Sequence, residues 1–190
     1  MRIISGLLKG RSINFLKNSK TRPLKDSVKE SIFNILKHSK ISETKIESSS
    51  VLDLYSGIGS FGIECISRGA KYVTFIEEDI NAANILKDNL AKFSISEKAS
   101  IYIDKVENVL DKNINKKFNI FFLDPPFADN YFLKVLEIVK KKNIFSKKNF
   151  VIIHRERKSQ DNFKDFFNVV DTKQYGRSKI IFGIFKWVIL

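Results

Sequence analysis

Short apolar runs alternate along this chain with segments whose apolar positions return every three or four residues. Val51-Leu52-Asp53-Leu54-Tyr55 has strand length and runs into glycine, the pattern of a buried strand. Phe61, Ile63, Cys65 and Ile66 then fall on an amphipathic helix. The unit repeats: Tyr72 to Ile76 is a second strand, and Asn81 to Phe93 a helix with Ala82, Ile85, Leu86 and Leu90 inward. A strand near Ile101 to Ile103 precedes a short helix near Val106 to Leu110. Phe118 to Leu123 is a fourth strand, Leu133, Leu136, Ile138 and Val139 mark another helix, and Phe150 to Ile153 is a fifth strand. Such alternation predicts an α/β fold, a mostly parallel sheet with helices on both faces. Asn168 to Gln174 and Lys179 to Ile189 flank Tyr175-Gly176-Arg177-Ser178 and predict an antiparallel hairpin at the end of the sheet.

Ahead of the alternation, Arg2 to Arg11 is punctuated by Gly6 and Gly10 and reads as a β-hairpin. Thr21-Arg22-Pro23 leads into a helix from about Asp26, with Val28, Ile32, Ile35 and Leu36 on one face. The polar run Ser39 to Ser50 is the connection that follows. The expected organisation is an N-terminal extension, 1–45, packed by its apolar stripe on a core domain, 46–190. At 190 residues and 43% hydrophobic content, the chain can bury a full core.

Two stretches carry candidate chemistry. Gly57, Gly59 and Gly62 follow the first strand with G-x-G-x-x-G spacing, and Glu77 closes the second strand twenty positions after Gly57. Such glycines let backbone approach a cofactor, and such a carboxylate accepts hydrogen bonds from ribose hydroxyls. NAD and S-adenosylmethionine (SAM) share that adenosine half. Asp53, a negative charge at the mouth of the first strand, disfavours a pyrophosphate and suits SAM, which carries a sulfonium and an ammonium. The second stretch is Asp124-Pro125-Pro126-Phe127 at the end of the fourth strand. The prolines end the strand rigidly and favour extended backbone, which leaves the Asp124 carboxylate and the carbonyls as acceptors for a planar amine. Phe127 offers a ring for stacking. The plainer reading of these four residues is a capped strand end and a turn.

Charge adds a partner. The formal net charge is +13, which favours a polyanion. Lysine, isoleucine, asparagine and phenylalanine are abundant throughout, so part of the excess is compositional. Residues 1–45 nevertheless hold eleven basic side chains against three acidic ones, a surplus of eight. Lys9, Arg11 and Arg22 are the candidate contacts; Arg22, before a rigid proline, can serve a phosphate, the cofactor carboxylate, or a structural pair with Asp26 or Glu30. The lone Cys65 sits among apolar neighbours and reads as a packed thiol. His38 and His154 share no ligand spacing with it, so no metal is expected. No window approaches a membrane span and the start is too interrupted for a signal peptide, so a cytoplasmic protein without membrane association is expected.

Taken together, Arg2-Ile3-Ile4-Ser5-Gly6 with Lys9-Gly10-Arg11, Thr21-Arg22-Pro23 with Asp26, Glu30, Phe33 and Asn34, Asp53 to Gly59, Ser67-Arg68-Gly69-Ala70, and Asp124 to Phe127 resemble the bacterial 16S ribosomal RNA guanine-N2 methyltransferase family, RsmD. The likeness spans nearly the whole chain, and its N-terminal segments are the specific part. The resemblance implies a class I methyltransferase (Rossmann-like) fold with SAM as cofactor. It also implies methylation of guanine 966 at N2 in 16S ribosomal RNA; the expected partner is that RNA, naked or in the assembled small subunit, and the chain is expected to act as a monomer. The resemblance places cofactor binding on Asp53, Tyr55, Gly57, Gly59 and Glu77 and catalysis on Asp124, Pro125, Pro126 and Phe127; Lys9, Arg11 and Arg22 remain the RNA contacts expected from charge. Two departures stand out. The family's usual Gly-Asp-Ala after the third strand is replaced by Asp104-Lys105-Val106, which puts the adenine-contacting acid one place early, on Asp104. A glutamate common after the fifth strand is replaced by His154-Arg155-Glu156.

The expected mechanism takes the guanine out of its stack, and Asp124 with the Pro125 carbonyl aligns N2 for direct displacement. The alternatives are another amine, adenine N6, cytosine N4 or a protein glutamine, and a non-catalytic RNA-binding ribosome-assembly factor.

Overall fold

A strand buried on both faces must be apolar on both, and here alternate residues feed two separate cores. The computed structural model describes residues 1–15, 24–38, 43–112, 114–163 and 167–186. Strands β1 (Ser50–Leu54), β2 (Tyr72–Glu77), β3 (Ala99–Ile103), β4 (Phe118–Leu123), β5 (Phe145–Glu156), β6 (Asn168–Tyr175) and β7 (Ser178–Ile184) form one sheet in the order β3-β2-β1-β4-β5-β7-β6. The first five are parallel, and β7 is antiparallel to both β5 and β6. Helices α1 (Asp26–His38), α2 (Ser60–Ser67) and α3 (Ile80–Lys92) pack on one face, and α4 (Val106–Lys112) and α5 (Phe132–Lys141) on the other. Val51, Phe75, Ile120, Phe122 and Ile152 point to the first core, whereas Leu52, Ile76, Phe121, Leu123 and Ile153 point to the second. This two-sided burial is what parallel sheets require.

The N-terminal segment belongs to the first core. Ile3, Leu8, Ile13, Leu24, Val28, Ile32, Phe33 and Leu36 are buried in one cluster with Phe61, Cys65 and Phe122. Phe61 stacks between Phe33 at 5.1 Å and Phe122 at 4.1 Å, tying α1, α2 and β4 with roughly 0.5–1.5 kcal/mol per ring pair beyond area burial. The fully buried carboxylate of Glu64 on α2 accepts hydrogen bonds from the backbone N–H groups of Ile4 (2.8 Å) and Ser5 (3.0 Å) and from Arg68 Nε (2.8 Å). The Lys29 ammonium lies 3.7 Å away. Burial pulls the Lys29 amine below its ordinary value, and the attraction of Glu64 opposes that shift.

Three local expectations change. The N-terminal hairpin reduces to a single antiparallel bridge, Arg2 to Ser12. The N–H groups of Ile4, Ser5, Leu7 and Leu8 go to Glu64 and Ser67 on α2, so no partner strand receives them. The fifth strand begins at Phe145, five residues earlier than the apolar run. Its polar start is accommodated because Asn149 exchanges hydrogen bonds with the Phe185 backbone and a register shift lies opposite, between Phe118 and Ile120. On α5 the buried stripe is Phe132, Val135, Leu136 and Val139, with Leu133 and Ile138 only half buried.

Candidate active site

The strand order reverses between β1 and β4, and such switch points open a crevice at the carboxyl ends of the strands. Glu77, Asp53, Asp124 and His154 lie at or within two residues of the carboxyl ends of four neighbouring strands, all on the face carrying α1, α2 and α3.

The β1 end is a glycine loop braced by two carboxylates. Gly57 and Gly59 have φ of 53° and 80°, the left-handed region that favours glycine. A Cβ on Gly59 would stand 2.3 Å from Leu86 Cδ1, so this glycine lets α2 and α3 close on each other. Gly57 meets nothing within 4 Å on the corresponding side, which leaves its backbone open. Glu77 Oε2 accepts from Gly57 N–H at 2.6 Å and Oε1 from Asp79 N–H at 2.9 Å. Burial raises the Glu77 carboxyl, and those two hydrogen bonds work in the opposite direction.

Asp53 differs from expectation. It does not stand at the mouth; it is 1% exposed, and Oδ2 accepts from Gly62 N–H at 2.9 Å. Burial pushes its carboxyl well above the usual range, with the negative charges of Asp124 and Glu77 adding to the effect. Its other oxygen, Oδ1, is buried without a hydrogen-bond partner, and so is Ser56 Oγ. Buried polar atoms are ordinarily satisfied. Two orphans beside an open glycine loop therefore fit a ligand that brings N–H or O–H donors, which SAM does. Tyr55 turns the chain with φ of 59°, and burial raises its phenol.

On β4 the Asp124 N–H reaches back to Leu54 O at 3.3 Å, which places the acidic tip beside the glycine loop. The Asp124 side chain is partly exposed at 27%, Pro125 is buried, and Pro126 and Phe127 are exposed. The Pro126 carbonyl is used within the fold, accepting from Asp129 N–H at 2.9 Å and Arg155 Nη1 at 3.2 Å. Asp124 Oδ1 lies 2.7 Å from His154 Nδ1. The Phe127 ring meets the His154 ring edge to face at 5.5 Å.

His154 and Arg155 are the site residues that sequence reasoning left unassigned. Arg155 is 1% exposed; besides Pro126 it holds Asn130 Oδ1 at 3.3 Å and Asp161 at 3.2 Å, and its guanidinium covers the Phe132 ring at 4.4 Å. The only signal was the polar pair that directly follows the apolar run Phe150 to Ile153.

The outlying candidates divide. Asp104 follows β3, one position past the residue paired with Glu77, and is exposed. Hydrogen bonds from Asn108 Nδ2 at 2.9 Å and Lys105 N–H at 2.7 Å hold its carboxyl below the ordinary value. Lys9 and Arg11 are exposed on the N-terminal turn, where Arg11 donates to Lys92 O at 3.0 Å and covers the Phe93 ring at 4.7 Å. Arg22 lies outside the described residues. Cys65 is fully buried and burial raises its thiol well above the usual range, as a packing role requires. Among the described residues, no cluster of three or more His, Cys, Asp or Glu side chains is placed to hold a metal ion, and no helix is long and apolar enough to cross a membrane.

A mostly parallel sheet of this order, a glycine loop after β1 and an acid closing β2 define a class I SAM-dependent methyltransferase. The family described as "Conserved hypothetical protein 95" matches residues 1–184. The ribosomal RNA small subunit methyltransferase D of Haemophilus influenzae is 35% identical over 159 residues, covering 83% of this chain and 79% of that one. The crystal structure of HI0767 from Haemophilus influenzae, a candidate methylase, superposes with a TM-score of 0.78 at 28% identity, over 97% of this chain and 98% of that one. The methyltransferase-like structure SMU.776, solved with S-adenosylhomocysteine, shares the fold with a TM-score of 0.64 at 13% identity, over 82% of this chain and 49% of that one. The chain belongs to the RsmD family of small-subunit ribosomal RNA methyltransferases.

Proposed function

We propose that this protein transfers the methyl group of SAM to the exocyclic N2 amine of guanine 966 in 16S ribosomal RNA. The observation that carries the reading is the placement of the Asp124-Pro125-Pro126-Phe127 tip one strand away from the glycine loop, with Asp124 N–H bonded to Leu54 O at 3.3 Å. The name of the Haemophilus relative supports the choice of small-subunit RNA.

Bound at the β1 end, SAM supplies an electrophilic methyl group on a sulfonium. Glu77 would hold the ribose hydroxyls, the open Gly57 backbone and the orphaned Asp53 Oδ1 and Ser56 Oγ the amino-acid portion, and Asp104 the adenine amine. Asp124 and the Pro125 carbonyl accept hydrogen bonds from the two N–H groups of the target amine. Those bonds align the nitrogen for direct displacement and favour the positive charge that grows on it. Phe127, exposed beside them, stacks on the base. Lys9 and Arg11, with Arg22, contact RNA phosphates. No covalent enzyme intermediate is required.

Mass mapping of modified nucleosides in ribosomal RNA from cells with and without the gene tests the reading. The expected result is loss of one N2-methylguanosine at position 966, restored by the intact gene and not by Asp124→Ala. A missing methyl on another base overturns the assignment.

A further inference from the structure

Near the end of β5, His154 and Arg155 grip the catalytic tip from opposite faces of the sheet. Leu123 pairs with Ile153, so the next residue on each strand, Asp124 and His154, stand side by side. The resulting contact is short, Nδ1 to Oδ1 at 2.7 Å. A carboxylate only accepts, which assigns a ring proton to Nδ1; the other ring nitrogen is Nε2. That nitrogen is buried and finds no partner, in a residue only 7% exposed. A histidine serving merely as core filler gains nothing from burying an unmatched polar atom, since leucine fills similar space without that penalty. What the imidazole adds is its other nitrogen. On the opposite face Arg155 holds the Pro126 carbonyl and Asn130.

The terminal torsion of an aspartate is broad and nearly two-fold. A partly exposed carboxylate at a strand end therefore samples many orientations unless one oxygen is fixed. With Oδ1 engaged by His154, Oδ2 is the oxygen left for a substrate amine. The same imidazole meets the Phe127 ring at an interplanar angle of 76°, so one side chain sets both the acceptor and the stacking surface.

We propose that His154 is a positioning residue for methyl transfer, holding Asp124 so that Oδ2 and the Phe127 ring present one fixed geometry to the target base. The inference rests on Asp124 being the acceptor of the substrate amine. It explains why β5 carries, two residues before its end, a histidine that touches no second histidine among the described residues.

Single-turnover methyl transfer to small subunits lacking the modification, at saturating SAM, distinguishes three variants. His154→Asn keeps an amide N–H near the position of Nδ1, His154→Gln carries its amide further out towards Nε2, and His154→Leu keeps neither. The expected rates are about 10- to 100-fold below wild type for Leu and Gln, the scale of a displaced catalytic group, and within about threefold for Asn. SAM affinity by calorimetric titration stays at the wild-type value in all three. Matching unfolding midpoints for Asn and Gln separate this outcome from a folding defect, and if the Leu variant does not fold, the Asn and Gln pair decides alone. Wild-type turnover in Leu, or Asn as slow as Gln, overturns the positioning role. Asp124→Ala run beside them separates the two claims: wild-type turnover there removes the acceptor reading itself, whereas an inactive Asp124→Ala beside a fully active His154→Leu removes only the role of His154.

Discussion

At the scale of single residues the site is built from carboxylates kept in uncomfortable places. Glu77 braces the glycine loop through Gly57 N–H while facing the crevice. Glu77→Ala is expected to weaken SAM binding by about 1.5–3 kcal/mol, the worth of hydrogen bonds to a charged group. Calorimetric titration giving an unchanged affinity removes the ribose role. Asp124→Ala is expected to lower kcat by about 10²–10³, as loss of one preorganised polar partner does, with little change in SAM affinity; a single-turnover assay checks it. Asp53 carries a sign that can be worked out. Burial holds its carboxyl above the ordinary value, so from about pH 4 upward to that raised value the folded chain binds the proton more tightly than the unfolded one. The contribution of this group to stability is therefore largest at low pH and declines as pH rises through that window. Asp53→Asn keeps an acceptor for Gly62 N–H and removes the charge. At neutral pH the unliganded variant is expected to unfold at a higher temperature than the parent, with the gap closing towards pH 4, and to bind SAM more weakly. Scanning calorimetry at several pH values, with and without SAM, reads both effects; a gap that widens on acidification contradicts the account.

Between elements, the N-terminal turn packs closely against the end of α2. Gly6 has φ of 82°, and a Cβ there would stand 1.9 Å from Ser67 O. Gly10 has nearly the same backbone angle, 83°, with nothing within 4 Å. The pair separates two costs. Gly10→Ala should lose about 1–2 kcal/mol, the cost of left-handed backbone for an L-residue. Gly6→Ala adds a clash with a backbone oxygen and should lose roughly 2–5 kcal/mol. Urea unfolding of both variants checks the order, and equal losses contradict the close packing. The Arg2 to Arg11 stretch reads as a hairpin in the sequence; the bend survives, because Gly6 and Gly10 turn the chain by themselves, with one bridge from Arg2 to Ser12 in place of two paired strands. Its docking is not legible there. Its N–H groups go to Glu64 and Ser67, some sixty residues away, and just beyond it the Asn14 backbone exchanges hydrogen bonds with the Asn89 side chain.

Across the whole molecule, the first core joins the N-terminal segment to the same face of the sheet that carries Glu77, Asp53, Asp124 and His154. The basic turn and the crevice thus share one face of the sheet but not one edge: the turn docks on Ser67 and Lys92, where α2 and α3 lead into the amino ends of the next strands, whereas the crevice opens at the carboxyl ends. If Lys9 meets a phosphate, the log-log salt dependence of RNA binding should flatten by about one unit for Lys9→Gln, one counterion's worth. Filter binding across a salt series measures the slope, and an unchanged slope takes Lys9 out of the interface. Arg11, already engaged with Lys92 O and the Phe93 ring, should lose some stability as well as slope.

Periods of two and 3.6 in the apolar positions, glycines where the backbone must turn, and prolines where a strand must stop are local properties. From them the sequence by itself determined the strand-helix order, the glycine loop with Glu77, and the rigid tip after Phe122-Leu123. The neighbours of those features are not local. Only the tertiary structure decided that Asp53 is buried against Gly62 and not set at the mouth, that β5 starts at Phe145, and that His154 and Arg155 hold the tip. The grip of His154 and Arg155 follows from strand register, which brings residues about thirty positions apart within hydrogen-bonding reach; the burial of Asp53 and the early start of β5 follow from packing and side-chain pairing that no period along the chain encodes.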